Sequence, residues 1–157
     1  MTINGINYTV KNISSNYSNA VLFSVNPVTG VVSFSGHNLT INGQSDVSHN
    51  VELYGLNFKF YSGEKDDIIT MYAVNSTIYG EGGNDKLLIN NVSTAYGGAG
   101  DDEIIINSSG TAYGDEGDDI ITVNIANTGT INGGLGNDTY NINAKVTNLS
   151  DTGGDNI

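Results

Sequence analysis

Residues 94–123 read TAYGGAGDDEIIINSSGTAYGDEGDDIITV. Within this stretch Thr94-Ala95-Tyr96-Gly97 returns as Thr111-Ala112-Tyr113-Gly114, and Gly100-Asp101-Asp102 returns as Gly117-Asp118-Asp119. Working outward, five segments align: Ser62–Ile69, Gly80–Leu87, Gly97–Ile104, Gly114–Ile121 and Gly133–Tyr140. Their sixth residue is always Asp: Asp67, Asp85, Asp102, Asp119 and Asp138, spaced by 18, 17, 17 and 19 residues. A fixed period of this length marks a stack of structural repeats.

After each Asp the apolar residues alternate. Ile69, Leu87, Ile104, Ile121 and Tyr140 align, and so do Met71, Ile89, Ile106, Val123 and Ile142 two places on. Period-two spacing makes a strand with one buried face. A polar turn follows, with Asn90, Asn107, Asn124 and Asn143 in register, and a second short strand leads back to the next glycine. Each coil is turn, strand, turn, strand. The predicted fold is all-β: a right-handed parallel β-roll, or β-solenoid, whose two sheets face each other over a thin core.

The chain has 157 residues, a net charge of -12, 21 Gly, one Pro and no Cys. That charge argues against nucleic acid or anionic membrane as a direct partner, since both require clustered Lys or Arg. The lack of Cys removes disulfides and thiolate metal sites. No apolar run approaches the ~18 residues of a membrane span, and no signal-peptide pattern is visible. Residues 1–60 admit two readings, a separate cap or degenerate coils continuous with 61–157. Thr2-Ile3-Asn4-Gly5 and Thr40-Ile41-Asn42-Gly43 copy Thr130-Ile131-Asn132-Gly133, which favours coils, about eight in all. Val21-Leu22-Phe23 and Val31-Val32-Ser33-Phe34 flank Asn26-Pro27-Val28-Thr29-Gly30, which favours a capping hairpin.

The acidic turns carry the chemistry. Glycines allow positive φ, and the sixth-position Asp supplies a hard oxygen. Stacking brings equivalent carboxylates within about 4.8 Å of each other. A divalent cation between them reverses the repulsion, and calcium, which accepts six to eight carboxylate and carbonyl oxygens, suits such turns better than magnesium.

These segments resemble the glycine- and aspartate-rich nonapeptide of RTX proteins, G-G-x-G-x-D-x-U-x. The resemblance implies calcium bound between consecutive turns by Asp side chains and turn carbonyls. It nominates Gly80, Gly82, Gly83, Asn84 and Asp85; Gly97, Ala99, Gly100, Asp101 and Asp102; Gly114, Glu116, Gly117, Asp118 and Asp119; and Gly133, Leu135, Gly136, Asn137 and Asp138. Asp67 joins as a weaker member, because Lys65 stands where glycine is expected. Three calcium sites are expected, with up to two more if the first turn and Asp151-Thr152-Gly153-Gly154-Asp155-Asn156 contribute. Only every second turn carries the motif, so one edge of the roll binds metal and the other carries Asn and Ser. The resemblance further implies a secreted or cell-surface protein, exported by type I secretion and folding on calcium. Its role is then a structural or adhesive rod, or an auxiliary module of a larger secreted enzyme or toxin.

No catalytic motif is present, and the chain is read as not an enzyme. The pairs Asp66-Asp67, Asp101-Asp102 and Asp118-Asp119 make poor acid/base couples, because adjacent strand residues face opposite ways. Tyr79, Tyr96 and Tyr113 align with Thr77, Thr94 and Thr111 on one outward face. The row reads first as a stacking ladder, and second as a face for carbohydrate or ice. His37 and His49 read as surface or hydrogen-bonded histidines. Self-association at the solenoid ends, or a surface partner, completes the expected partners.

Overall fold

The computed structural model describes residues 1–12 and 22–154. Val21 of the expected hairpin and Asp155-Asn156 of the last turn lie outside these residues. All regular structure among the described residues is strand.

The solenoid has seven coils, each contributing one strand to each of two parallel stacks. The first stack holds β5 (Val32–His37), β7 (Asn50–Leu56), β9 (Ile68–Met71), β11 (Lys86–Ile89), β13 (Glu103–Ile106), β15 (Ile120–Val123) and β17 (Thr139–Ile142). The second holds β6 (Leu39–Asn42), β8 (Lys59–Gly63), β10 (Thr77–Gly82), β12 (Thr94–Ala99), β14 (Thr111–Glu116), β16 (Asn127–Leu135) and β18 (Val146–Ser150). Register follows the repeat: Leu87 pairs with Ile69 and Ile104, and Tyr96 with Tyr79 and Tyr113.

The N-terminal end is covered by antiparallel strands. β3 (Thr9–Asn12) pairs with β6, and β4 (Leu22–Val25) forms a hairpin with β5. Thr2-Ile3-Asn4-Gly5 does not form a coil. β1 (Thr2–Ile3) and β2 (Ile6–Asn7) make a hairpin, closed by Asn4 and Gly5 at φ 52° and 82°. Asn-Gly with both φ positive is the signature of a two-residue hairpin turn, and it outweighs the likeness to Thr130–Gly133.

The core is one line of side chains between the stacks. Ile69, Met71, Leu87, Ile89, Ile104, Ile106, Ile121 and Val123 come from the first, and Ile78, Ala95, Ala112 and Ile131 from the second. Phe34, Phe58, Phe60 and Tyr8 fill it near the N-terminal end. The second-stack strands run on through the glycines, so the first three motif positions are strand and the chain turns only at the last three.

Candidate functional site

The motif glycines have separate physical reasons. A Cβ at Gly97, the first position, would fall 2.1 Å from Asp102 Oδ2 and 2.6 Å from the Gly114 carbonyl oxygen. Gly80 and Gly114 are in the same situation against Asp85 and Asp119. The second position is left-handed: Gly98 and Gly134 adopt φ 118° and 116°, and Glu81 and Asp115 occupy it at 72° and 80°. The fourth is also left-handed, at Gly83, Gly100, Gly117 and Gly136.

The two acidic positions form separate ladders running in opposite directions. At position five the side chains are outside. The N–H of Asp101 donates to Asn84 Oδ1, Asp118 to Asp101 and Asn137 to Asp118, at 2.7–3.0 Å. At position six they are buried. The N–H of Asp67 donates to Asp85 Oδ1, Asp85 to Asp102, Asp102 to Asp119 and Asp119 to Asp138, at 2.7–2.9 Å. Each sixth-position carboxylate thus holds the turn of the coil before it. This separates the members of Asp101-Asp102 and Asp118-Asp119 to outside and inside, as alternation required.

The other oxygens of the inner ladder are the notable atoms. Oδ2 of Asp67, Asp85, Asp102 and Asp119 is buried and has no hydrogen-bond partner. A buried carboxylate oxygen left without a partner carries a large desolvation penalty. Burial pushes the Asp85 carboxyl up to about 8, against the hydrogen bond from Asp67 N–H, with the Asp102 and Asp67 charges adding to the rise. By the same causes Asp102 rises to about 7 and Asp119 to about 6, with Asp119 and Asp138 as their respective leading charged neighbours.

The ends of the column differ from its middle. At the N-terminal end His49 stands 18 residues before Asp67 and donates its backbone N–H to Asp67 Oδ1. Its ring is buried, with Nδ1 3.1 Å from the Tyr8 hydroxyl and Nε2 3.0 Å from the Gln44 carbonyl oxygen. The sequence left His49 as either a surface or a hydrogen-bonded histidine; it is the second, and it also heads the column, for which the spacing to Asp67 was the available signal. Ser62 takes the first glycine position, and its hydroxyl donates to the Gly80 carbonyl at 2.8 Å. Burial raises the Asp67 carboxyl, while the His49 N–H, the Ser62 hydroxyl and the His49 charge pull it back. At the other end the Tyr140 hydroxyl accepts the Gly133 N–H at 2.7 Å.

Could calcium suit this place? The donors are hard oxygens, and four of them, Oδ2 of Asp67, Asp85, Asp102 and Asp119, are buried without a partner. In each middle turn the carboxylate Oδ2 and the carbonyl of the next coil's first glycine approach the same point. The set therefore fits a hard cation by charge and chemistry. Among the described residues no three His, Cys, Asp or Glu side chains are grouped to hold a metal by themselves, so backbone carbonyls must complete any site.

The outward residues are placed as follows. Tyr61, Tyr79, Tyr96 and Tyr113 stack face to face, with centroids 4.5, 5.1 and 4.8 Å apart and planes within 10°. Thr77, Thr94 and Thr111 pair alongside. Tyr61 is an added member, since its strand carries Lys59 in place of Thr. At the opposite corner Asn107 donates to Asn90, Asn124 to Asn107 and Asn143 to Asn124, at 2.8–3.0 Å. These side chains form the hydrogen-bonded ladder their alignment implied.

Fold and site together define a β-solenoid with a buried carboxylate column along one edge. No protein-family model, curated protein or solved structure matches the chain.

Proposed function

We propose that the chain is a calcium-stabilised extracellular β-roll of the RTX kind, whose working property is a metal-dependent change from expanded chain to stiff rod. The observation that carries this reading is the set of buried, unpartnered Oδ2 atoms on Asp67, Asp85, Asp102 and Asp119. Bound there, calcium supplies positive charge and oxygen coordination. Asp85, Asp102, Asp119 and Asp138, with the carbonyls of turns 80–84, 97–101, 114–118 and 133–137, would hold it. The protein's own part is to pre-position these oxygens: each Oδ1 is fixed by a backbone N–H, which leaves Oδ2 facing the next turn.

The consequence is linkage. An ion that binds the folded chain and not the unfolded one stabilises it by RT ln(1 + [L]/Kd) per independent site. The net charge of -12 opposes compaction without it. A rod that stiffens only where calcium is plentiful suits a spacer or adhesive element outside the cell.

Calorimetric titration of EDTA-treated protein tests the reading. We expect at least three calcium ions per chain, no comparable heat from magnesium, and loss of binding in an Asp85→Asn/Asp102→Asn/Asp119→Asn triple variant. Absence of calcium binding to the intact protein overturns it.

A further inference from the structure

We propose that the exposed end of the tyrosine stack, at Tyr61, is a binding site for a neutral pyranose with equatorial hydroxyls. This inference uses the shape of the roll and is independent of calcium.

The stack stops abruptly. Tyr79 covers one face of the Tyr61 ring. On the other side the residue in register is Asn42, followed by Thr9. Asn and Thr are much shorter than Tyr, so the outer part of that ring face stands clear above them. A groove of about 360 Å3 lies there, lined by Thr40, Asn42, Gly43, Tyr61 and Glu81. Its size is at the small end of ligand pockets, ~300–1,000 Å3.

The lining is that of a sugar site. A pyranose with equatorial hydroxyls has a flat C–H face that packs on an aromatic ring, whose face is the negative side of its quadrupole. Its hydroxyls then point sideways, toward polar groups at the rim. Asn42 offers an amide donor and acceptor, Thr40 a hydroxyl and Glu81 a carboxylate acceptor. The stacked tyrosines hold the Tyr61 ring rigid, so little side-chain entropy is lost on binding.

Glu81 strengthens the case. Its neighbours in register are Gly63 and Gly98, and the position is left-handed, with Glu81 at φ 72°. A Glu here costs about 1–2 kcal/mol in backbone strain that glycine avoids. Asp115 carries the same strain two coils on, so it is the Glu81 carboxylate, not its backbone, that serves the groove. Among the lining residues Glu81 alone is charged, and its carboxylate rejects uronic or sulfated sugars, so the ligand is neutral.

The probes are cellotetraose and, as its acidic counterpart, tetragalacturonic acid. Binding is read by saturation-transfer NMR and calorimetry, with calcium present throughout and folding verified by circular dichroism. A failure of the calcium reading therefore leaves this result interpretable. We expect cellotetraose to bind with transfer to its ring C–H protons, and tetragalacturonic acid not to bind. Tyr61→Ser should weaken cellotetraose at least about tenfold, Tyr61→Trp should restore it, and Tyr113→Ser should leave it unchanged. No binding of cellotetraose, equal binding of the acidic sugar, or an unaltered affinity in Tyr61→Ser overturns the proposal.

Discussion

At Asp102 the two carboxylate oxygens have different surroundings. Oδ1 accepts the Asp85 N–H at 2.7 Å, and Oδ2 is buried against Gly97 without a partner. Two substitutions separate these roles. Asp102→Ala removes the acceptor and orphans a buried N–H, which costs about 1–3 kcal/mol with or without metal. Asp102→Asn keeps Oδ1 and turns Nδ2 toward the Gly114 carbonyl, supplying a donor in place of a buried charge. We expect urea denaturation in EDTA to show Asp102→Asn at least as stable as the parent, with a smaller gain on adding calcium. An asparagine variant as destabilised as the alanine one would contradict this assignment. Titration belongs at the same scale. The Asp85, Asp102 and Asp119 carboxyls rise in the fold to about 8, 7 and 6. The folded chain then holds protons that the unfolded chain, with ordinary carboxyls near 3.8, has released. By linkage this stability is complete below about pH 4 and is lost as the pH climbs toward 8. Calorimetric melting of metal-free protein should give a higher Tm at pH 5 than at pH 8. An equal or lower value at pH 5 would count against a buried anionic column.

Among the elements, the second-stack strands show what a repeat conceals. Their alternation was legible: Ile78, Ala95, Ala112 and Ile131 are buried, while the stacked tyrosines point outward. Their length was not, because Gly-Gly reads as a turn while the backbone continues in strand pairing through Glu81 and Gly98. A left-handed φ at the second position reconciles the two. Asp115 occupies that conformation at φ 80° between Gly98 and Gly134. Asp115→Gly should therefore raise stability by about 1 kcal/mol in thermal or urea denaturation. A loss of stability would mean that the carboxylate compensates its own strain. The position-six ladder escaped the sequence for another reason. Register of the Asp residues was visible, but their use as acceptors for the preceding coil depends on which way each side chain leans, and one-dimensional spacing does not encode that. Ser62 and Tyr140 at the column ends escaped likewise: each departs from the pattern in a way that only its contact explains.

At the scale of the whole molecule the two ends of the solenoid differ. Antiparallel strands and the Tyr8, Phe34 and His49 cluster cover the first coil, with Tyr8 and Phe34 in edge contact at 5.1 Å. The last coil carries Ile142 and Leu149 partly exposed, 39% and 51%. The stack between them was legible from the five aligned Asp residues, because a repeat locks register many times over. The N-terminal cap was harder to read: no period runs through it, and Asn4-Gly5 serves equally as a hairpin turn and as a copy of a coil corner. A long one-dimensional stack also concentrates charge. The buried column places like charges in successive coils, and the ion pair between Lys86 and Glu103 on the outer face is exposed and adds little. On the proposed reading, the fold depends on what neutralises that column. The most direct measurement is far-ultraviolet circular dichroism of EDTA-treated protein at pH 7.5, followed through a thermal scan before and after calcium is added. The account predicts weak β signal or a low Tm without metal, and a large gain with calcium that magnesium does not reproduce. A chain that is fully folded in EDTA, with the same Tm in calcium, would contradict it.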